Sequence, residues 1–428
     1  MAAARTAKFS YRAEPTPAQE RWLAGAFGAT RVAYNDYLWQ RERVFRGEQE
    51  EVVPLSRFGC LPADKAWMRE HPQRAIQQAV RQAETAYRNF FRSVKGGPRR
   101  GKPRFKKRRA GGSLTLAGGL KIEKLSNRWA ALRLPKGGGW LKFRLSRELP
   151  SQPTGVTLKL SPAGEYRLSF TVQQVVKPAK AAGPAAGVDP GLLDLVTVAT
   201  DEGACYKVAA PRGYRRAERK LARLNRALAR KTSGSQNRER ARLALAKQHA
   251  KVARQRLDLQ RKIAFKLADE NQAVAFEDLS VAGLARTRFA KSFADAGIGG
   301  LKGAVESACE REGTAFAVVP PAYTTQTCAV CGLGGGRKSL ATRQWQCACG
   351  ALLDRDYNAA VNVLLAGGHS ESLNGPGGRV RRGELASPAP SAMPDEGATG
   401  FAAHRPRRRR TRAVSLARRA RLEAQASA

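Results

Sequence analysis

Between Cys328 and Asn362 the chain reads CAVCGLGGGRKSLATRQWQCACGALLDRDYNAAVN, and this stretch restricts the fold more than any other. Cys328 and Cys331 form a C-x2-C knuckle, and Cys347 and Cys349 form a C-x-C pair beyond a loop containing glycine and arginine. Four thiolates in two tight pairs suit a closed, tetrahedral structural Zn²⁺ site, so the two ends of that loop are expected to meet at one metal ion. Asp354 and Asp356 follow at once, at the head of an apolar-periodic helix. Nucleic-acid grip and metal chemistry are therefore joined in one segment.

The formal net charge is +42, from 77 Lys and Arg against 35 Asp and Glu. That excess implies a polyanionic partner, either nucleic acid or a membrane surface. No apolar run approaches the length of a membrane span, and MAAARTAKFS is too poor in apolar residues for a signal peptide. The expectation is a cytoplasmic nucleic-acid-binding protein with no membrane association. With 428 residues the chain can build two or more domains with their own cores. Outside the cysteine pairs, Cys60, Cys205 and Cys309 are scattered, which reads as reduced thiols and not as a disulfide framework.

Residues 7–13 alternate like a short strand. Thr16-Pro17-Ala18-Gln19 is a helix start with a capping-box pattern, and helical periodicity continues to about residue 46. A second helix carries Ala75, Ile76, Val80, Ala83, Ala86, Tyr87 and Phe90 on one face and ends before Pro98. The texture from 112 to 178 is all-β, punctuated by Gly and Pro. It predicts a small barrel or sandwich that receives the first strand and holds the helices as an insertion. After a linker at 179–186, GVDPGLLDLVTVATDEG predicts the opening hairpin of an α/β core. A basic helical stretch over 213–270 is broken once at Thr232-Ser233-Gly234-Ser235. NQAVAFEDLSV reads as an apolar strand ending in two acids, and 368–428 reads as a disordered basic tail.

Three carboxylates stand at similar places: Asp189 in the first core strand, Glu277 at the end of a buried strand, and Asp356 in the first turn of a helix. A charge in an apolar strand is costly unless it is paired or coordinates metal. Three such groups converging could hold two Mg²⁺ ions roughly 4 Å apart, the arrangement for in-line phosphodiester hydrolysis. Each acid also has a plainer reading. Asp189 before Pro-Gly can form a turn, Glu277-Asp278 can cap a strand end, and Asp354 suits a helix N-cap with Asp356 complementing the dipole.

In chain order come GVDPG, KTSGSQNRERARLALAKQHAKVARQRLDLQRK, FEDLSVAGLARTRFAKSFADAG, PPAYTTQTCAVCG and CACGALLDRDYNAAVNVL. Together with LPADKAWMREHPQRAIQQAVRQAETAYRNFFRS and PRFKK, they resemble the TnpB (OrfB) proteins of transposons, relatives of type V CRISPR effectors. The resemblance spans residues 7–375. It implies a multidomain α+β fold with an RNase H-like (RuvC) nuclease core (187–327 and a final helix at 350–367) and an inserted zinc ribbon (328–349). It also implies a wedge β-barrel (1–13 and 112–178) and an inserted helical recognition domain (14–111).

The function implied is an endonuclease that uses a guide RNA from the transposon end to cut double-stranded DNA beside a short target-adjacent motif. Asp189, Glu277 and Asp356 match the RuvC acids, with Asp354 as cap or supporting residue. Cys328, Cys331, Cys347 and Cys349 match the zinc ligands. Thr325 replaces the Ser usual in the family's YTSQ-like run. A nuclease-inactive RNA-guided repressor and a transposase accessory protein are the alternatives, and the intact acids argue against the repressor.

The densest internal basic run, PRRGKPRFKKRR, offers Arg99, Arg100, Lys102, Arg104, Lys106, Lys107, Arg108 and Arg109 to phosphates, with Phe105 available to stack or pack. A solvated linker is its plainer reading. His71, His249, His369 and His404 are expected at the surface, and Tyr323-Thr324 is expected to shape the entry to the ribbon, with no chemistry assigned to it.

Overall fold

The computed structural model describes residues 4–55, 61–108, 111–336, 338–339 and 341–368. Strand β1 (Ala4–Glu14) is followed by helix α1 (Pro17–Phe45), whose start carries the expected capping box: Thr16 accepts from the Gln19 N–H, and Gln19 accepts from the Thr16 N–H. A 3-10 turn at Ala63–Glu70 leads into α2 (Gln73–Val94). Six strands follow: β2 (Gly112–Ala117), β3 (Ile122–Ser126), β4 (Trp129–Leu134), β5 (Gly139–Arg144), β6 (Gly155–Leu160) and β7 (Tyr166–Val175).

With β1 they form a seven-stranded antiparallel sheet in the order β2-β6-β7-β1-β5-β4-β3. The first strand is thus received between β7 and β5. The expected barrel does not close, because β2 and β3 remain the two edges. Helices take the place of the missing wall. Leu23, Ala26 and Phe27 of α1 and Ala75 of α2 share a core with Tyr11, Phe143 and Phe170 of the sheet, and the Thr30 hydroxyl bonds the Ser113 carbonyl of edge strand β2 at 3.0 Å. A β-region that buries its apolar face under helices gains little from closing on itself.

His71 corrects another expectation. It is 9% exposed, edge-on to Trp67, and its ring lies where a side chain at Gly25 would stand. His249 is exposed as expected, while His369, His404 and the basic tail lie outside the described residues, as does Cys60.

The next strand, β8 (Ala185–Pro190), begins inside the expected linker, since Ala185 and Ala186 are already buried in it. It pairs antiparallel with β9 (Asp194–Thr200), which pairs with β10 (Cys205–Ala209). Helices α3 (Gly213–Ala229) and α4 (Gln236–Glu270) are separated at the predicted break, where Ser235 caps α4 by accepting from Arg238. Then come β11 (Ala273–Glu277), α5 (Val281–Leu284), α6 (Ala290–Ala296), α7 (Ile298–Glu312) and β12 (Ala315–Val319). The sheet order is β10-β9-β8-β11-β12, with β8, β11 and β12 parallel. A hairpin of β13 (Gln344–Gln346) and β14 (Leu352–Asp354) precedes the last described helix, α8 (Arg355–Ala366).

Side chains alternate across a strand, so each face of this sheet can be read by parity. Ala186, Val188, Val196, Val198, Val274 and Phe276 pack with Ile263 and Leu267 of α4 and with Leu301 and Val305 of α7. The opposite face presents Ala185, Gly187, Ala199, Ala273 and Ala275, and against it lie Ala360, Val361, Val363 and Leu364 of α8. Small residues flatten that face and let α8 sit on the strands almost backbone to backbone. A Cβ at Gly187 would stand 2.1 Å from the Ala360 carbonyl oxygen. The result is a mixed α/β fold. Among the described residues no helix is long and apolar enough to cross a membrane.

Candidate active site and metal centre

The parity that brings α8 onto the sheet also decides where the acids point. Asp189 lies two residues beyond Gly187, and Glu277 two beyond Ala275, so both fall on the α8 face. In the parallel pairing Val188 sits opposite Phe276, which makes Asp189 and Glu277 neighbours at the C-terminal ends of their strands. Asp356 joins them from the first turn of α8.

The electrostatics agree with this placement. Burial pushes the Asp189 carboxyl well above the usual carboxylate range, and the charge and hydrogen bond of Glu277 push it further. Asp356 acts in the same direction, while Arg355 partly offsets the rise. Crowded acids of this kind repel one another unless a proton or a cation lies between them. Glu277 is 5% exposed and accepts a hydrogen bond from the Thr324 hydroxyl at 2.8 Å.

Asp354 and Asp356 have different partners. Asp354 is the N-cap of α8, accepting the N–H groups of Asp356 at 2.9 Å and Tyr357 at 3.0 Å. Both of its oxygens also meet the Lys207 ammonium, at 3.0 and 2.9 Å. Burial pulls the Lys207 pKa down, but its hydrogen bond and ion pair with Asp354 outweigh that and raise it. Among the described residues Asp356 has only longer approaches, from Arg343 at 3.5 Å and Lys207 at 3.7 Å. Its carboxylate is the less committed of the two.

The cysteine cage lies immediately beyond. The sulfurs of Cys328 and Cys349 are 3.9 Å apart, those of Cys331 and Cys347 are 3.6 Å apart, and all four lie within 4.8 Å of one another. A tetrahedron with metal–sulfur bonds of about 2.3 Å has sulfur–sulfur edges of about 3.8 Å, so the set has the dimensions and chemistry of a structural zinc site. Gly332 and Gly350 follow the two pairs with φ of +79° and +88°, the left-handed turn that lets each knuckle fold back. Among the described residues this is the one His, Cys, Asp or Glu cluster drawn so tightly, and the three acids are more open.

Cage and acids are tied together by residues that a linear reading passes over. Asn358 of α8 accepts the Ala329 N–H within the first knuckle at 2.8 Å and donates to the Thr327 carbonyl at 2.8 Å. One turn later, Asn362 donates to the carbonyls of Thr324 at 2.9 Å and Thr327 at 2.7 Å. Both asparagines are buried. Buried amides at i and i+4 of an otherwise apolar helix face were the available signal, since such groups need partners.

The basic run lies along α1. Asn35 clamps the Lys106 backbone, accepting from its N–H at 2.8 Å and donating to its carbonyl at 3.0 Å. The Lys106 ammonium stands 3.7 Å from the centroid of the Tyr34 ring, and burial there lowers its pKa. Lys102 pairs with Glu42 at 3.6 Å. Arg99, Arg100, Arg104, Phe105, Lys107 and Arg108 are exposed, and Arg109 lies outside the described residues.

Comparison with known proteins gives concordant matches. Residues 168–288 fit the OrfB_IS605 model, described as "Probable transposase", 299–363 fit "Cas12f1-like, TNB domain", and 1–49 fit "Helix-turn-helix domain". A Streptomyces pristinaespiralis protein named "Putative RNA-guided DNA endonuclease" is 35% identical over 84% of this chain and 89% of its own length. An Escherichia coli K12 protein, "Putative RNA-guided DNA endonuclease InsQ", is 26% identical over 85% of this chain and 92% of its own. Among solved structures, a Cas12f1–sgRNA–target DNA complex superposes with a TM-score of 0.49 at 14% identity, covering 85% of this chain and 98% of that one.

Proposed function

Because the chain belongs to the TnpB (OrfB) family of transposon proteins, we propose that it is an RNA-guided endonuclease that cuts double-stranded DNA beside a short target-adjacent motif. The observation that carries the chemistry is the meeting of Asp189, Glu277 and Asp356 on one face of the five-stranded sheet. The order β10-β9-β8-β11-β12, antiparallel on one side of β8 and parallel on the other, supports a RuvC-type core of the RNase H kind.

Asp189, Glu277 and Asp356 would hold Mg²⁺, which when bound supplies activation of the attacking water and stabilisation of the leaving oxygen. The donor set fits such a group: all three are hard oxygen ligands, and the burial and neighbouring carboxylates that raise the Asp189 pKa are what a bound cation would offset. The chain's own residues prepare it. The Thr324 hydroxyl donates to Glu277, and Asp354 caps the first turn of α8 and engages Lys207, which leaves Asp356 open toward the other acids.

Guide RNA from the transposon end and target DNA would meet the exposed cations of the 99–108 run through their phosphates. Pairing with the guide would supply sequence choice, and the protein would supply motif reading and cutting. In this reading 14–111 is the recognition region and 1–13 with 112–178 the wedge. A nuclease-inactive repressor is disfavoured by the presence of all three acids.

The test is cleavage of a plasmid library with randomised flanks by protein co-expressed with RNA from its transposon end, beside Asp189→Ala. Mg²⁺-dependent cutting next to one enriched motif, absent in the variant, is expected. Motif-specific binding by the parent without any cut would overturn the nuclease reading.

A further inference from the structure

Thr324 is the residue whose surroundings are least explained by folding alone. It is 6% exposed, and its hydroxyl donates to the Oε1 atom of Glu277 at 2.8 Å. The backbone turns sharply ahead of it. Tyr323, just before it, adopts φ of +64°, a left-handed conformation that a non-glycine residue adopts only when its surroundings impose it. The turn is closed by the N–H groups of Gln326 and Thr327, both donating to the Tyr323 carbonyl at 2.9 Å. The Thr324 carbonyl in turn accepts from Asn362 at 2.9 Å, and Asn358 links the same strap to Ala329 inside the first cysteine knuckle.

We propose that Thr324 is a positioning residue, whose hydroxyl holds the Glu277 carboxylate in the orientation used beside Asp189 and Asp356 and couples it to the cysteine cage. This rests on the nuclease reading given above. Glutamate has three rotatable side-chain bonds, and ordering them has an entropic cost unless a neighbour restrains them. One Glu277 oxygen is occupied by the Thr324 hydroxyl. The carboxylate plane is thereby set, and its other oxygen is directed by a contact that does not itself touch the reacting atoms. The cage contributes through the strap, because closure of the first knuckle places Ala329, and Ala329 engages Asn358, which shares the strap with Thr324.

The test uses the full chain with its guide RNA and a matched target, comparing parent, Thr324→Val, which keeps the shape and removes the donor, and Thr324→Ser, which keeps the donor. The Val variant is expected to bind target DNA as the parent does. It should cut about 10- to 100-fold more slowly at sub-saturating Mg²⁺, the loss of one hydrogen bond to a charged acceptor, with its Mg²⁺ half-saturation shifted upward. The Ser variant should restore both. A Val variant that matches the parent in rate and Mg²⁺ dependence, or a Ser variant no better than Val, would overturn the inference while leaving a cutting parent intact as a nuclease. In parallel, Mn²⁺ binding is followed by electron paramagnetic resonance on all three proteins without nucleic acid. Weaker Mn²⁺ binding in Val, recovered in Ser, is expected. If the parent fails to cut, the nuclease reading falls, and equal Mn²⁺ binding in all three proteins then overturns the positioning role too.

Discussion

Replacing Gly187 with alanine probes the contact on which the acid cluster depends. The added Cβ would lie 2.1 Å from the Ala360 carbonyl oxygen, 2.5 Å from the Leu364 nitrogen and 2.7 Å from the Leu364 Cβ. Ordinary contact begins at 3.4 Å, so α8 would have to retreat by about 1.3 Å at Ala360, and the obstructing atoms are backbone that cannot rotate away. Overpacking of this sort costs about 1–3 kcal/mol. The functional cost is expected to be larger, because α8 carries Asp356 while Asp189 and Glu277 stay with the sheet. A displacement of about 1 Å between reacting groups is enough for a loss on the order of 100-fold. Urea unfolding would measure the first effect and single-turnover cleavage of a bound target the second. Gly303→Ala, within α7 and with nothing within 4 Å of the new methyl, serves as control and should be neutral or stabilising by up to about 1 kcal/mol. Parental stability together with parental cleavage in Gly187→Ala would refute the argument that direct packing of α8 on β8 sets the site.

Asp354→Ala and Asp356→Ala should separate structure from chemistry. The first removes an N-cap and should cost about 1–2 kcal/mol in thermal unfolding, whereas the second should leave stability near parental and abolish cutting. Cys331→Ser should lower zinc content by metal analysis and expose the 328–353 segment to limited proteolysis; full zinc occupancy would contradict the cage. Burial holds the His71 pKa below its ordinary 6.5, with Glu70 acting the other way and Lys136 reinforcing the drop. The unfolded chain therefore takes up a proton before the folded one does. Stability from this group is present above pH 6.5 and lost as pH falls toward the lowered folded value. A His71→Asn variant should flatten stability against pH across that window, and an unchanged slope would show that some other group titrates there.

Much of this protein was legible in its linear order. The cysteine spacing by itself pointed to a site with the chemistry of a structural zinc cage, because thiolate pairs that close leave few alternatives. The Thr16–Gln19 box acts over three residues, so it announced the start of α1 without reference to the rest of the chain, and the run Thr232-Ser233-Gly234-Ser235 marked the break before α4. What lay beyond local order depended on which surfaces meet. The β-region looked able to close into a barrel, yet its edges stay open because α1 and α2 cover the apolar face, a choice made by packing and not by strand pattern. His71 looked like a surface residue because nothing local shows that Trp67 and Gly25 enclose it.

At the site, residue types alone marked Asp189, Glu277 and Asp356 as candidates but left Asp354 as a rival. The three-dimensional arrangement engages both Asp354 oxygens with Lys207 and the start of α8, and this supports the proposal of Asp356 as the third acid. The contact of Thr324 with Glu277 was not legible for the same reason. A hydroxyl in a turn has no role until the fold brings a buried carboxylate to within a hydrogen bond of it. Spacing along the chain determines what a residue can do chemically. Register, face and the partners of each oxygen, which come from elements far apart in sequence, decide which residue is left free to do it.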